Sequence, residues 1–189
     1  KNKISKIDKE IEGNQIKYKF LHDLIHETDD LLVKSVKHYL EWLGFPDVID
    51  MDENNPTVKE EDIQIPLENG LLIIEIKGIG GTSKNSDCSQ INTIKHRRAE
   101  QRGSFDVSAL YLVNHQRYLP PKNRRNPPFN EQQINDAANE KRGLLTTYDL
   151  FKLYSNIEAG FVKKEDARAA LLQHGLVTFT PSDADYLGL

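Results

Sequence analysis

The feature that most constrains this fold is a candidate β-hairpin over residues 61–78, which reads EDIQIPL, ENG and LLIIEIKG. An Asn-Gly pair at 69–70 is a strong signal for a two-residue type I′ turn, because both residues tolerate positive φ. With that turn, Asp62 lies opposite Lys77. Side chains that are opposite, or two residues apart, share a face of a sheet, so we expect Asp62, Glu75 and Lys77 to converge on one face. A register slip of one residue would move Asp62 to the other face.

These three side chains indicate a divalent-cation site. Two carboxylates a few ångströms apart repel each other unless a cation lies between them. Mg²⁺ (or Mn²⁺) prefers oxygen ligands, and Asp62, Glu75 and the backbone carbonyl of Ile76 would offer such oxygens. Lys77 would then stabilise the negative charge of a phosphoryl transition state or help position an attacking water. The alternative interpretation is an ordinary cross-strand salt bridge on an exposed hairpin.

The rest of the chain predicts an α/β protein. Apolar periodicity gives the element order α-β-β-β-α-β followed by α-β-α, which describes a mixed β-sheet flanked by helices. The predicted helices cover 18–43, which Gly44 ends, and 89–101, 130–141, 148–154 and 162–174. The predicted strands are 48–49, the two arms of the hairpin, 107–114 and 144–146. Polar or Pro-rich segments at 51–60, 78–87 and 119–128 are expected to be loops.

The hairpin and the helix after it resemble the PD-(D/E)xK nuclease superfamily, whose members have the restriction-endonuclease-like fold. Asp62 matches the first acid of that motif, Glu75 the second and Lys77 the lysine, while Gln90 matches a glutamine on the following helix that orients the cluster. The resemblance covers about residues 31–118. It implies an αβββαβ core with a C-terminal αβα elaboration.

Two positions depart from the family pattern. The proline that usually precedes the first acid is replaced by Glu61, so Glu61 competes with Asp62 as the ligand; alternation along the strand favours Asp62. The additional acid that the family carries on its first helix has two candidates here, Glu27 and Glu41. Gly78, directly after the lysine, follows the family pattern.

The function that the resemblance implies is Mg²⁺-dependent hydrolysis of phosphodiester bonds in nucleic acid, with DNA as the expected substrate and RNA still open. The formal net charge of −4 argues against a general nucleic-acid-binding coat. Charge is unevenly distributed, however: acidic runs at 27–30, 47–53 and 60–62 and basic runs at 95–102 and 117–125 would suit an acidic pocket beside a basic surface, and ordinary solvated faces are the alternative interpretation of either cluster. The residues expected to contact backbone phosphates are Lys84, Arg97, Arg98 and Arg117.

The predicted domain organisation has three parts. We expect residues 1–17 to be an extension from an upstream domain of the same polypeptide, 18–178 to be the nuclease-like domain and 179–189 to be a tail. A single cysteine, the lack of a signal peptide and the lack of a long apolar run predict a cytoplasmic protein without a membrane partner. We expect a prokaryotic effector module, with a role in restriction or phage defence and possible homo-oligomerisation. The alternatives are a catalytically inactive domain that binds nucleic acid, or one that binds a partner protein.

Overall fold

Six β-strands form one mixed sheet in the computed structural model, which describes residues 2–54 and 60–179. The strands are β1 (Ile49–Asp50), β2 (Ile63–Leu67), β3 (Gly70–Gly78), β4 (Val107–Asn114), β5 (Arg142–Thr146) and β6 (Gly175–Leu176). Their order across the sheet is their order in the chain. β1, β2 and β3 pair antiparallel, whereas β3, β4, β5 and β6 pair parallel. The predicted class, an α/β protein with a mixed sheet flanked by helices, is confirmed.

Seven α-helices surround the sheet in the described part of the chain. They are α1 (Asn2–His26), α2 (Asp29–Leu43), α3 (Met51–Asn54), α4 (Asn85–Arg102), α5 (Glu131–Asn139), α6 (Thr147–Glu158) and α7 (Lys164–Ala170). The single helix predicted over 18–43 is wrong, because a break at residues 27–28 separates α1 from α2. The last predicted helix is too long, since α7 ends at Ala170 and Gly175 opens β6. α3 begins the segment predicted as a loop, of which residues 55–59 lie outside the described chain.

The sheet has an apolar cluster on each face. Leu72, Ile74 and Ile76 of β3 belong to the cluster that contains α1, α2, α6 and α7. Leu71 and Ile73 belong to the cluster that contains α4 and α5. A central strand with helices on both faces has to be apolar on both faces, which explains the continuous run from Leu71 to Ile74. Glu75 and Lys77 continue the odd-numbered face of β3, so they lie on the side of α4.

The register of the hairpin differs from the prediction. Leu67 pairs with Gly70 and Ile63 with Ile74, so the loop is Glu68–Asn69 and Gly70 is already part of β3. Gly70 has φ of 132°, and a Cβ at this position would lie 2.2 Å from the carbonyl oxygen of Asp106. Gly70 is therefore a residue of β3 that packs closely against the segment leading into β4. The shift amounts to two residues between the strands, so every side chain keeps the face that was predicted for it.

The ends of the chain bear on the predicted boundaries. α1 continues from residue 2 to residue 26, across the predicted boundary between 17 and 18, and side chains 4–19 are all exposed. Residues 180–189 of the predicted tail lie outside the described chain. Among the helices of residues 2–54 and 60–179, none has the combination of length and apolar character that crossing a bilayer demands.

Candidate functional site

Asp62, Glu75 and Lys77 lie together where the pairing of β2 and β3 ends. The last paired residues of the two strands are Ile63 and Ile74, which directly adjoin Asp62 and Glu75 in the chain. The Lys77 ammonium lies 3.5 Å from Glu75 Oε1. The Asp62 carboxylate accepts a hydrogen bond of 2.6 Å from the backbone N–H of Ile76, while its own N–H donates to the carbonyl of Ile74 at 3.1 Å. The carboxylate of Asp62 therefore takes the place of a backbone partner for the N–H of Ile76, beyond the last paired residues of the two strands.

Ile76 contributes a backbone oxygen to this place. In a β-strand the N–H and C=O of one residue face the same edge, and those of the residue two positions away also face that edge. Ile74 presents its carbonyl to Asp62, and Ile76 presents its N–H to the carboxylate of Asp62. The carbonyl of Ile76 therefore faces the same edge, just beyond the last paired residue of β2.

α4 holds Lys77 from the other side. The Lys77 ammonium donates to Gln90 Oε1 at 3.0 Å, and Gln90 lies in the second turn of α4. The side chain of Lys77 is 28% exposed, so its ammonium is partly open to solvent. The helix begins at Asn85, earlier than predicted, and its first turn is stabilised by Asp87, whose carboxylate accepts from the N–H of Lys84 at 2.9 Å. Gln90 is therefore placed as the sequence suggested.

Burial and like charge act in the same direction on the carboxyls of Asp62 and Glu75. Burial, and after it the charge of Glu75, raise the pKa of Asp62 from 3.8 to about 7. Burial also raises the pKa of Glu75, against the opposing charge of Lys77. The charge of Asp52 acts on both carboxyls in the same upward direction. Glu75 is only 6% exposed, and its Oε2 has no hydrogen-bond partner within the described chain.

An acidic cavity of about 290 Å³ opens beside this pair. Its wall includes six carboxylates, which come from all three of the acidic runs in the sequence and from β3: Asp29, Asp30, Asp52, Glu60, Asp62 and Glu75. Ile76 and Gln90 also line it. The acids from the first helical region are thus Asp29 and Asp30, at the start of α2. Neither Glu27 nor Glu41, the two candidates from the sequence, lines the cavity.

The break between α1 and α2 brings Asp29 and Asp30 to the cavity. Thr28 donates to the carbonyl of Gly78 at 3.1 Å, and a Cβ on Gly78 would lie 2.6 Å from the Thr28 hydroxyl. Only glycine leaves room for this contact directly after Lys77. Asp29 itself adopts a left-handed backbone with φ of 51°, which aspartate tolerates better than most residues.

A buried arginine also stabilises the break between α1 and α2. Arg124 is 6% exposed and donates to Asn114 Oδ1 at 2.7 Å and to the carbonyl of Ile25 at 2.8 Å. Asn114, at the end of β4, donates to the carbonyl of Glu27 at 2.8 Å. The loop predicted at 119–128 is largely exposed, but the Arg124 side chain is buried within it, because its guanidinium donates to the carbonyl of Ile25 and to Asn114.

Glu61, the competing candidate for the first acid, is part of an ion-pair cluster. Its side chain is fully buried and accepts from Arg98 Nε at 2.7 Å and from Arg98 Nη2 at 3.0 Å. Arg98 Nη2 also lies 2.5 Å from Glu60 Oε2, and Arg97 pairs with the other oxygen of Glu60. Gln64 donates to Glu61 as well, at 2.5 Å. Both oxygens of Glu61 are therefore occupied, which favours Asp62 as the first acid.

The residues expected to contact phosphates divide into two groups. Arg97 and Arg98 form ion pairs with the acids before β2, and the Arg98 side chain is 15% exposed. Lys84 is exposed, and its ammonium has no acidic partner in residues 2–54 and 60–179. The Arg117 guanidinium lies 4.2 Å from the ring centroid of Tyr118 and donates to its hydroxyl. Lys84 and Arg117 flank the loops that follow β3 and β4, whereas the two α4 arginines are committed to acids.

Part of this set of oxygen donors suits a divalent metal ion. Within the described residues, no three His, Cys, Asp or Glu side chains form a group that could hold a metal ion by themselves. The smaller set of Asp62, Glu75 and the carbonyl of Ile76 does fit, since all are hard oxygen donors and Glu75 Oε2 is buried without a partner. A cation there would relieve the repulsion that raises the pKa of Asp62.

The sequence matches no protein-family model and no curated protein. The family resemblance therefore depends on the motif residues Asp62, Glu75, Lys77 and Gln90 themselves.

Proposed function

We propose that this chain is a metal-dependent nuclease domain that hydrolyses phosphodiester bonds of DNA, with Mg²⁺ or Mn²⁺ as its cofactor. The observation that carries the proposal is the pair of Asp62 and Glu75 at the end of the hairpin, with the Lys77 ammonium 3.5 Å from Glu75. Support also comes from the element order, which up to β4 follows the restriction-endonuclease-like core apart from the short α3.

Each residue has a distinct task in this proposal. Asp62, Glu75 and the carbonyl of Ile76 hold the cation, which when bound supplies the positive charge that polarises the scissile phosphate and the attacking water. Lys77 stabilises the negative charge that develops on the phosphate as water adds to phosphorus and the P–O ester bond breaks. Gln90, which lines the cavity, accepts a hydrogen bond from Lys77 at 3.0 Å and so keeps the ammonium beside the cavity. The products are a phosphate monoester and a hydroxyl.

The acidic wall has a consequence for the substrate. Six carboxylates repel a polyanion, so the phosphate backbone can approach only when the cation and a neighbouring basic edge compensate them. Lys84 and Arg117, at the loops after β3 and β4, are the candidates for that edge. These contacts would be to phosphate and would carry no base preference.

The test is cleavage of supercoiled plasmid with Mg²⁺ by the wild-type chain, the Lys77→Ala variant and a Lys163→Ala control. Lys163 is an exposed lysine at the start of α7. We expect wild type and Lys163→Ala to nick the plasmid and Lys77→Ala or EDTA to abolish nicking. Absence of cleavage by the wild type in Mg²⁺ and Mn²⁺, together with salt-sensitive retention of DNA, would contradict the enzyme and support a binding domain.

A further inference from the structure

A highly exposed tyrosine lies close to the end of β3 that carries Lys77. Tyr118 is 74% exposed and belongs to the turn that follows β4. β3 and β4 are parallel neighbours, so the segments that leave them lie at the same end of the sheet. The N–H of Arg117 donates to the carbonyl of Ile79 at 3.3 Å, and Ile79 lies two residues after Lys77. The turn that carries Tyr118 is therefore joined to the segment that follows the candidate site.

Hydrogen bonds hold the backbone on both sides of Tyr118. The N–H of Gln116 donates to the carbonyl of Gly81 at 2.9 Å, across to the loop that follows β3. The buried Arg124 donates from Nε to the carbonyl of Leu119 at 3.0 Å. Tyr118 thus projects from a backbone with defined partners, and a ligand that contacts the ring does not first have to order a loose loop.

The ring of Tyr118 has a free surface for a flat partner. The guanidinium of Arg117 lies 4.2 Å from the ring centroid and donates to the hydroxyl. Gly80 lies near one edge of the ring, where a Cβ would be 3.0 Å from Tyr118 Cε2. Despite both contacts the residue stays 74% exposed, so most of the ring surface is in water. An aromatic ring beside a guanidinium is a suitable stacking surface for a nucleobase, because both groups interact with π-faces.

A single exposed aromatic ring is common on protein surfaces, so the charge around Tyr118 has to indicate the ligand. The two loops that meet here, 78–86 and 115–130, contain no Asp or Glu, although the formal net charge of the chain is −4. Their exposed and partly exposed cations form no ion pair among the residues that the structure describes; they are Lys84, Arg117, Lys122 and Arg125. This local charge is complementary to a polyanion. Cations around a ring are typical of sites for single-stranded nucleic acid.

We infer that Tyr118 stacks on an unpaired nucleobase, and that the nucleic acid bound beside the candidate site is single-stranded at this point. In a duplex the neighbouring base pairs cover both faces of each base, so a ring at the protein surface gains little from it. An unpaired base has a face to offer, and every base has one, so no sequence preference is expected. The link to cleavage rests on the proposed function, whereas the base contact is measured by binding alone.

Fluorescence anisotropy in Ca²⁺ tests the contact with three labelled probes: an oligodeoxythymidylate strand, an abasic strand of the same length and a duplex. The wild type should bind the thymidylate strand more tightly than the abasic strand. Tyr118→Ala should weaken binding of the thymidylate strand by about 5–100-fold and leave the other two unchanged. The slope of log K against log salt should stay the same, because no charge is removed. An oligouridylate strand shows whether RNA serves as well as DNA.

Two variants separate stacking from other effects. Tyr118→Phe keeps the ring and should bind the thymidylate strand like the wild type. The matched control is Phe105→Ala: Phe105 is 91% exposed but precedes β4, at the opposite end of that strand, so its loss should not change binding. All three variants should melt at the wild-type temperature, because both positions are exposed.

Four results would overturn the inference, even if the plasmid is cleaved. They are no binding of the thymidylate strand by the wild type, equal binding of the thymidylate and abasic strands, equal effects of Tyr118→Ala and Phe105→Ala, and an equal loss of duplex binding in Tyr118→Ala. Base-dependent binding that Tyr118→Ala abolishes, in a chain that cleaves no plasmid, would instead contradict the nuclease proposal and support the stacking contact.

Discussion

Glu61 and Asp62 are neighbours in the chain, yet their carboxylates have opposite surroundings. Glu61 is buried with Arg98 bound to both of its oxygens. Asp62 lies in a cavity wall with five other carboxylates, and burial together with the charge of Glu75 raises its pKa to about 7. Glu61 is neutralised by Arg98 within the fold, whereas Asp62 forms no ion pair in the part of the chain that the structure describes. The comparison teaches that a neighbouring cationic side chain, more than the degree of burial, separates an acid that stabilises the fold from an acid that is available to bind a ligand.

The largest expected effect is on cleavage. Asp62→Asn keeps an oxygen that can accept from the Ile76 N–H but removes the charge that holds the cation. We expect the rate of plasmid nicking to fall by about 10²–10³-fold, comparable to the loss of one transition-state contact. The melting temperature in EDTA should not fall, because the substitution removes a like-charge repulsion. Nicking within tenfold of the wild type would contradict the assignment of Asp62.

The second expected effect is on stability, and it belongs to Glu61. Glu61→Gln removes one of the two carboxylates that neutralise Arg98, whose side chain is 15% exposed, and leaves Glu60 as its remaining acidic partner. Loss of a hydrogen bond to a charged group destabilises a protein by about 1.5–3 kcal/mol. Urea denaturation should show a lower midpoint with an unchanged slope. Glu68→Gln, in the exposed hairpin loop, is the matched control and should leave the midpoint where it was.

The third effect is a pH dependence that metal should suppress. The folded state holds the proton of Asp62 up to about pH 7, whereas the unfolded chain releases it near 3.8. Stability in EDTA therefore falls as the pH rises between these values, by no more than about 4 kcal/mol. Mg²⁺ binds the ionised form, so it should raise the melting temperature more at pH 8 than at pH 5. An equal shift at both pH values, or the same pH dependence in Asp62→Asn, would argue against this origin.

The smallest expected effect is on the salt dependence of DNA binding, and it compares Lys84 with the ion-paired Arg97. Lys84 has no acidic partner in the described residues, whereas Arg97 pairs with Glu60. In fluorescence anisotropy with DNA in Ca²⁺, Lys84→Ala should lower the slope of log K against log salt by about 1. Arg97→Ala should lower it less, because its charge is already balanced. A larger effect of Arg97→Ala than of Lys84→Ala would show that the Arg97–Glu60 ion pair opens when DNA binds. The predicted contact between Arg97 and a phosphate requires such an opening.

Local patterns predicted much of the fold. β4 has the predicted bounds, Gly44 ends α2 as predicted, and the α/β class follows from the order of apolar segments. The break between α1 and α2 was missed, because the apolar spacing runs through it and the features that fix it, Thr28 on Gly78 and Arg124 on Ile25, are far apart in sequence. The acidic runs were compatible with an acidic pocket or with solvated faces, and which acids line the cavity depends on the positions of α2 and α3.

The sequence by itself determined which face of β3 carries Glu75 and Lys77, because alternation is fixed by the covalent geometry of a strand and survives a shift of two residues. Only the tertiary structure decided the position of the hairpin loop, through the contact between Gly70 and Asp106. It also decided which acids form ion pairs. An acid becomes a structural partner or an open ligand according to which cations the fold brings to it. For Glu61 that cation is Arg98, 37 residues away in the chain.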